Sequence, residues 1–100
     1  MSLVPIYAHR GASGHAIENT FAAFKKAQIL GADGIEIDIQ RTSDNQLVVF
    51  HDINLSRLTG IKKYIFNCSL EELQTYKLGS SFFRLFSSEH IPTLDEVLNW

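Results

Sequence analysis

The stretch Gly34–Gln40, GIEIDIQ, decides the fold of this chain because apolar and acidic residues alternate along it. Successive side chains of a strand point to opposite faces. The isoleucines are therefore expected on one face, and Glu36 and Asp38 on the other. Two carboxylates about 6–7 Å apart repel each other unless a cation neutralises them. The stretch therefore predicts either a site for a hard divalent metal ion or the solvated face of an ordinary amphipathic strand.

The residues before this stretch predict the first half of a βαβ unit. Val4–Ala8 has the composition of a short buried strand, and Asn19–Leu30 has helical periodicity with Phe24 and Ala27 on its apolar face. Asn19 is the expected N-cap, and Gly31 suits the position just after the helix. A strand, a helix and a strand within about 40 residues predict two parallel strands with a right-handed crossover.

The residues after this stretch predict a hairpin. Gln46–His51 is a second strand, and the five residues Arg41–Asn45 are too few for the crossover that parallel neighbours require. A turn centred near residues 44 and 45 would make the numbers of paired residues sum to about 89. That register would place His51 opposite Asp38.

The rest of the chain predicts short elements that support these strands. Residues 54–60 have loop character, Tyr64–Phe66 is a candidate strand, and capping-box patterns at Ser69 and Thr93 open two short helices. The first helix is expected to end near Tyr76. The second helix is expected to have an apolar face formed by Leu94, Val97 and Leu98. His15 and His90 are expected at the surface. Four apolar residues are expected to cover a core: Phe82, Phe83, Leu85 and Phe86.

Length and composition favour one domain, over residues 1–100, and exclude several classes of protein. The net charge of −2 does not indicate a positively charged surface that would bind nucleic acid or an anionic membrane. The single cysteine, Cys68, allows no internal disulfide, is expected to be buried, and indicates a cytoplasmic protein. No apolar run approaches the roughly 20 residues of a transmembrane helix. The oligomeric state stays open.

Five polar residues lie on the predicted strands or directly after them: His9, Arg10, Glu36, Asp38 and His51. Glu36 and Asp38 offer oxygen ligands that suit Mg²⁺ or Ca²⁺. The guanidinium of Arg10 can hold phosphate oxygens, and of the two histidines one can take a proton while the other gives one. Together these side chains suggest phosphoryl chemistry.

Six motifs in order along the chain resemble the signature of the glycerophosphodiester phosphodiesterase family. They are His9-Arg10-Gly11, Glu18-Asn19-Thr20, Gly31-Ala32-Asp33-Gly34, Glu36-x-Asp38, Val48-Val49-Phe50-His51-Asp52 and Ile91-Pro92-Thr93-Leu94. The resemblance implies an α/β fold, the N-terminal part of a TIM (β/α)₈ barrel that is incomplete in 100 residues, with a small insertion at about 53–90. It also implies metal-dependent hydrolysis of small glycerophosphodiesters to glycerol 3-phosphate and an alcohol, as part of lipid and glycerol metabolism.

The resemblance also implies a role for each of the five polar residues. His9 and His51 would be the acid–base pair, Glu36 and Asp38 would bind the metal, and Arg10 would contact the phosphate. The family's third metal carboxylate comes from a later strand, so the isolated chain is expected to be inactive.

The sequence leaves other interpretations open. His9 could be a hydrogen-bonded structural residue, His51 could close the hairpin together with Asp52, and Arg10 could neutralise the carboxylates as an ion pair. For function, one alternative is a non-catalytic binder of phosphate ligands, or an inactive barrel fragment that lacks the third metal carboxylate. Another alternative keeps the enzyme class and changes the substrate to a bulkier lipid phosphodiester.

Overall fold

The first three elements form a βαβ unit. The computed structural model describes residues 4–14, 16–80, 84 and 88–100. Strand β1 (Tyr7–His9) pairs in parallel with β2 (Gly34–Glu36), and helix α1 (Phe21–Ile29) connects them. The parallel pairing predicted from the short spacing of these elements is confirmed.

Helix α1 begins two residues later than the predicted range 19–30, and its N-cap lies one residue later than predicted. Thr20, in an extended conformation, is the N-cap, and its hydroxyl accepts a hydrogen bond from the amide of Ala23. Asn19 has a left-handed backbone (φ 54°) and its side chain is engaged elsewhere, so its assignment as N-cap is wrong. At the other end Gly31 (φ 83°) donates its amide to the carbonyl of Gln28, as expected after a helix.

The acidic stretch divides into two strands instead of forming one. β2 ends at Glu36, and β3 (Ile39–Arg41) pairs antiparallel with β4 (Leu47–Val49) rather than continuing beside β1. The predicted hairpin is therefore confirmed, whereas the continuous strand over residues 34–40 is wrong. The chain changes partners at Ile37 and Asp38, which belong to neither strand.

The register of the hairpin differs by one residue from the predicted one. Ile39 pairs with Val49, and the amide of Phe50 donates to the carbonyl of Asp38, so Phe50 and not His51 lies opposite Asp38. The turn has three residues, 43–45, and Asn45 adopts a left-handed conformation (φ 62°). A change of one residue reverses the face of every side chain on the strand.

Strand β4 separates two apolar clusters. Val48 belongs to the larger cluster, which the hairpin forms with the segments that follow it. Val49, on the opposite face, contacts the smaller cluster with Phe24 of α1 and Val97. The larger cluster contains these buried residues: Val48, Phe50, Leu55, Ile65, Cys68, Leu73, Leu78 and Ile91. The predicted burial of Cys68 is confirmed.

Two short elements in the region after the hairpin differ from the prediction. A helical turn, α2 (Ser56–Thr59), occupies part of the predicted loop, and the side chain of Asn54, just before it, accepts a hydrogen bond from the amide of Ser56. The predicted strand over Tyr64–Phe66 is wrong. Tyr64 forms only an isolated bridge with Asn54, and the backbone then turns into a 3₁₀ helix at Ile65–Asn67.

Both capping motifs open helices as predicted. Ser69 caps α3 (Leu70–Gln74), which ends two residues before Tyr76, and Thr93 caps α4 (Leu94–Leu98) with a complete capping box. The apolar face predicted for α4 holds for Val97 but not for Leu98, which is 71% exposed. The described residues place no element against that side of the helix.

The apolar side chains around β1 are exposed, contrary to the predicted buried strand. Val4 and Ile6 precede the strand and Tyr7 begins it; they are 70%, 58% and 66% exposed. Within the part of the chain that the structure describes, β1 has one neighbouring strand, β2. His90 is exposed as predicted, whereas the expectations for His15 and for the apolar residues of 81–83 and 85–87 lie outside the described residues. No helix in the described ranges is both long and apolar enough to cross a membrane.

Candidate active site

The backbone of Arg10 joins β2 to the loop that enters α1. It has a left-handed conformation (φ 57°), its amide donates to the carbonyl of Glu36 at 2.6 Å, and its carbonyl accepts from the amide of Asn19 at 2.9 Å. Gly11 follows, also left-handed (φ 79°). A Cβ atom at Gly11 would lie 2.8 Å from the backbone of Ala23, so the glycine lets this loop pack directly on α1.

The side chain of Arg10 lies between two carboxylates. Its Nη1 donates to Oε2 of Glu18 at 3.1 Å, and its Nε lies 3.2 Å from Oδ2 of Asp38. The second contact has the distance of an ion pair but not the direction of a hydrogen bond, since the buried Nε–H has no aligned acceptor among the described residues. The ion pair that the sequence offered as one role for Arg10 is present.

Asp38 has a second partner that the sequence did not assign to it. Asn19 donates from Nδ2 to Oδ2 of Asp38 at 3.1 Å, and Asn19 is 1% exposed. The buried carbonyl oxygen Oδ1 of Asn19 has no hydrogen-bond partner among the described residues. Asn19 therefore holds Asp38 in place, and its presence in the Glu18-Asn19-Thr20 motif was the only signal in the sequence.

Glu36 and His9 form a more open pair. Nε2 of His9 lies 3.4 Å from Oε1 of Glu36, and the two side chains are 59% and 64% exposed. Asp38, by comparison, is 30% exposed. The two predicted metal ligands thus differ, since Asp38 is held by neighbours and Glu36 extends toward solvent beside a histidine.

His51 contacts a chain of charged groups that reaches Arg10. Its Nδ1 lies 2.8 Å from Oδ1 of Asp52, and Asp52 accepts from Arg57 through both oxygens, at 2.8 and 3.1 Å. Nη1 of Arg57 donates in turn to Glu18 at 2.8 Å. Within the described residues His51 makes no hydrogen bond or ion pair with Glu36 or Asp38. Its connection to the rest of the site passes through Glu18.

The charges in this chain stabilise one another. Hydrogen bonds from Arg57, and then from His51, outweigh burial and lower the pKa of Asp52 to about 2. Burial acts to raise the pKa of Glu18, but the hydrogen bond from Arg57 and the charges of Arg57 and Arg10 lower it overall. The pKa of Arg57 is raised, chiefly by its hydrogen bonds to Asp52 and Glu18. All three groups are therefore ionised at neutral pH.

The carboxylates fit a hard divalent cation only as part of its ligand set. Glu36 and Asp38 supply oxygen atoms, which Mg²⁺ and Ca²⁺ prefer, but Ca²⁺ takes about 6–8 ligands and Mg²⁺ about six. The described residues contain no group of three or more histidine, cysteine or acidic side chains placed to hold a metal ion. Further ligands would have to come from solvent, substrate or other residues.

An α/β chain that collects arginine, histidine and carboxylate side chains at and after the ends of its strands has the groups of a phosphodiester-processing site. Residues 9–100 match the glycerophosphoryl diester phosphodiesterase family, and the chain belongs to this family.

Known relatives agree with this assignment. A glycerophosphodiester phosphodiesterase of Caldanaerobacter subterraneus subsp. tengcongensis is 48% identical over 92 residues, which are 92% of this chain and 38% of that protein. The crystal structure of a glycerophosphodiester phosphodiesterase from Agrobacterium tumefaciens matches 96% of this chain and 42% of its own, with 38% identity and a TM-score of 0.89. An Oleispira antarctica phosphodiesterase in complex with the product sn-glycerol-3-phosphate matches 97% of this chain and 39% of its own, with 39% identity and a TM-score of 0.88. The chain thus spans about two-fifths of the length of these proteins.

Proposed function

We propose that the protein containing this chain hydrolyses small glycerophosphodiesters to sn-glycerol 3-phosphate and an alcohol. The observation that carries this proposal is the Oleispira antarctica structure, which holds that product and resembles 97% of the present chain. In the same proposal residues 1–100 form the N-terminal part of a TIM barrel, and residues 53–90 are its small insertion. A cytoplasmic location, suggested by the single cysteine, and the absence of a nucleic-acid partner stay predictions.

Arg10 is the proposed phosphate contact. Its side chain keeps 20% of its surface exposed, which leaves it within reach of a phosphate group. Glu18 and Asp38 lie on either side of the guanidinium and restrict its position. A phosphate bound there would gain a charge-assisted hydrogen bond from a donor that is already oriented.

His9 and His51 are the proposed acid–base pair. An ionised Asp52 can only accept a hydrogen bond, so Nδ1 of His51 carries the proton of their 2.8 Å contact and its Nε2 is available to a reacting hydroxyl or water. His9 is half exposed beside Glu36 and can give a proton to the leaving alcohol. The hydrogen-bonding pattern favours His51 as the base and His9 as the acid.

Glu36 and Asp38 are the proposed ligands of a divalent cation, Mg²⁺ or Ca²⁺. When bound, such an ion polarises the phosphate and neutralises the charge that grows on it. The contacts of Asp38 with Arg10 and Asn19 orient one of these carboxylates in advance. The family's third carboxylate would lie outside the present sequence.

The test is release of sn-glycerol 3-phosphate from glycerophosphocholine and glycerophosphoethanolamine by the protein at its native length. We expect activity that EDTA removes and that Mg²⁺ or Ca²⁺ restores. His9→Ala and His51→Ala should each lower kcat by about 10²–10⁴-fold, the usual contribution of a general acid or base. Lys63→Ala, which removes only a surface ion pair with Glu72, is the control. A folded native-length protein without activity in Mg²⁺, Ca²⁺ and Mn²⁺ would overturn the proposal.

One observation favours a second candidate, a non-catalytic binder of phosphate ligands. Glu36 and Asp38 do not belong to any group of three or more histidine, cysteine or acidic side chains that could hold a metal ion among the described residues. Calorimetry with sn-glycerol 3-phosphate and glycerophosphocholine separates the two candidates. A binder takes up both compounds and returns the diester intact, whereas an enzyme converts the diester.

A further inference from the structure

We propose that Arg57 is a positioning residue that fixes His51 through Asp52 and ties both to the Arg10 side of the site. The inference rests on the proposed function, because it assigns Arg57 to the support of the proposed base. Neither composition nor spacing marks Arg57 in the sequence. Its geometry alone makes it the link between two parts of the site that are far apart along the chain.

All three guanidinium nitrogens of Arg57 are engaged by carboxylates. Nε and Nη2 donate to the two oxygens of Asp52 at 2.8 and 3.1 Å, and Nη1 donates to Glu18 at 2.8 Å. A two-pronged contact fixes both the position and the plane of the Asp52 carboxylate. A lysine carries one ammonium group and cannot reproduce this planar arrangement.

The fixed carboxylate determines the state of the neighbouring imidazole. Oδ1 of Asp52 faces Nδ1 of His51, so the protonated Nδ1 donates and the lone pair of the neutral ring lies on Nε2. If Asp52 were free to rotate, the imidazole would lose its partner and its preferred tautomer. Arg57 therefore acts on His51 without touching it.

Glu18 completes the connection between the two parts of the site. Arg57 lies on α2 beside the larger apolar cluster, whereas Glu18 lies 39 residues earlier, just before α1. Glu18 is only 11% exposed and accepts from Arg10 and Arg57 through different oxygens. The distance between the proposed base and the proposed phosphate contact thus depends on this carboxylate and the guanidinium that meets it.

The exposure of Arg57 argues for positioning rather than for general stabilisation. Its side chain is 49% exposed, and ion pairs of exposed side chains usually add little to the stability of a fold. The Lys63–Glu72 pair offers a matched comparison, with a 2.9 Å contact and a lysine that is 53% exposed. Loss of either pair should leave the protein folded, but only loss of Arg57 should change His51.

The experiment uses Arg57→Ala and Arg57→Lys in the protein at its native length, with Lys63→Ala as the control. We expect both Arg57 variants to lower kcat by about 10–100-fold with KM changed less than about threefold, the size of effect seen when support of a reacting group is removed. Guanidinium ion at millimolar concentration should restore part of the activity of Arg57→Ala but not of Arg57→Lys. Lys63→Ala should match the unsubstituted protein.

A second readout does not depend on activity. Nitrogen-15 NMR of the neutral His51 ring should show the proton on Nδ1 in the unsubstituted protein and a mixture of tautomers in Arg57→Ala. Unchanged kcat, or an unchanged His51 tautomer in folded Arg57→Ala, would overturn the inference. If the unsubstituted protein has no activity, the proposed function fails, and the tautomer comparison still decides whether Arg57 positions His51. If Arg57→Ala does not fold, Arg57→Lys supplies the same comparison.

Discussion

The βαβ unit and the region built on the β3–β4 hairpin differ in how completely they bury their apolar side chains. The hairpin region encloses Phe50, Leu55 and Leu73 in a cluster with almost no exposure. Beside it, Ile6 and Tyr7 of the βαβ unit are 58% and 66% exposed. The hairpin region thus forms a core from its own residues, whereas the first strand leaves apolar surface uncovered.

The candidate site contains residues from both regions, and the residues from the better-packed hairpin region are held more firmly. His51 and Asp52 follow β4, whose valines contact both apolar clusters. His9 and Glu36 lie on β1 and β2 and are mostly exposed. We conclude that the side chains on the hairpin side of the site are preorganised. On the βαβ side, the side chains are fixed mainly by the contacts of Arg10 with its partners.

The largest expected effect on stability comes from shortening a buried side chain in one region and an exposed one in the other, in the 100-residue chain. Phe50→Ala should lower the free energy of unfolding by about 3–5 kcal/mol, because a fully buried phenylalanine leaves a cavity. Tyr7→Ala should cost less than about 1 kcal/mol, because most of that ring already faces solvent. Urea unfolding followed by circular dichroism measures both. Equal losses for the two variants would show that the regions do not differ as described.

A smaller effect is expected from one glycine of the βαβ unit. Gly11→Ala should destabilise the chain by about 2–4 kcal/mol, since the added methyl would meet Ala23 at 2.8 Å and the backbone is left-handed. Gly14→Ala is the matched control, because a Cβ atom there has no neighbour within 4 Å. Thermal unfolding of both variants checks the prediction. A neutral Gly11→Ala would mean that the loop does not pack on α1 as observed.

The smallest effect concerns acid stability on the hairpin side. The pKa of Asp52 is lowered to about 2, so its ionised form favours the folded state fully above the unfolded pKa near 3.8. This contribution is lost as the pH falls through about 2, and we expect it to amount to about 1–2 kcal/mol. Urea unfolding from pH 5 to pH 2 should show a steeper loss for the unsubstituted chain than for Asp52→Asn. Parallel pH curves would exclude the charge pairing with Arg57 and His51.

The order of elements could be predicted where loop lengths left few choices. The spacing between β1 and β2 accommodates a helix, and the five residues after Gln40 do not, so both pairings followed from chain length. The register of the hairpin could not be predicted in the same way. It depends on whether Asn45 is left-handed, and a turn of two or three residues is compatible with the same sequence.

The candidate site was predictable where each residue belongs to a local motif, and not where distant residues meet. His9, Arg10 and His51 stand out because they follow strands in short patterns. Arg57 is a single arginine on a four-residue helix that the sequence left as a loop. Its contact with Glu18 joins residues 39 positions apart, and the motif that contains Glu18 does not indicate Arg57 as its partner.

At position 10 the left-handed backbone favours glycine for stability, whereas the proposed function requires an arginine. A branched or long side chain with φ near 57° costs roughly 1 kcal/mol that glycine would avoid. Sequence changes that make the fold more robust would therefore tend to remove the guanidinium proposed to meet phosphate. An arginine retained in the intact protein despite this cost would indicate selection for catalysis.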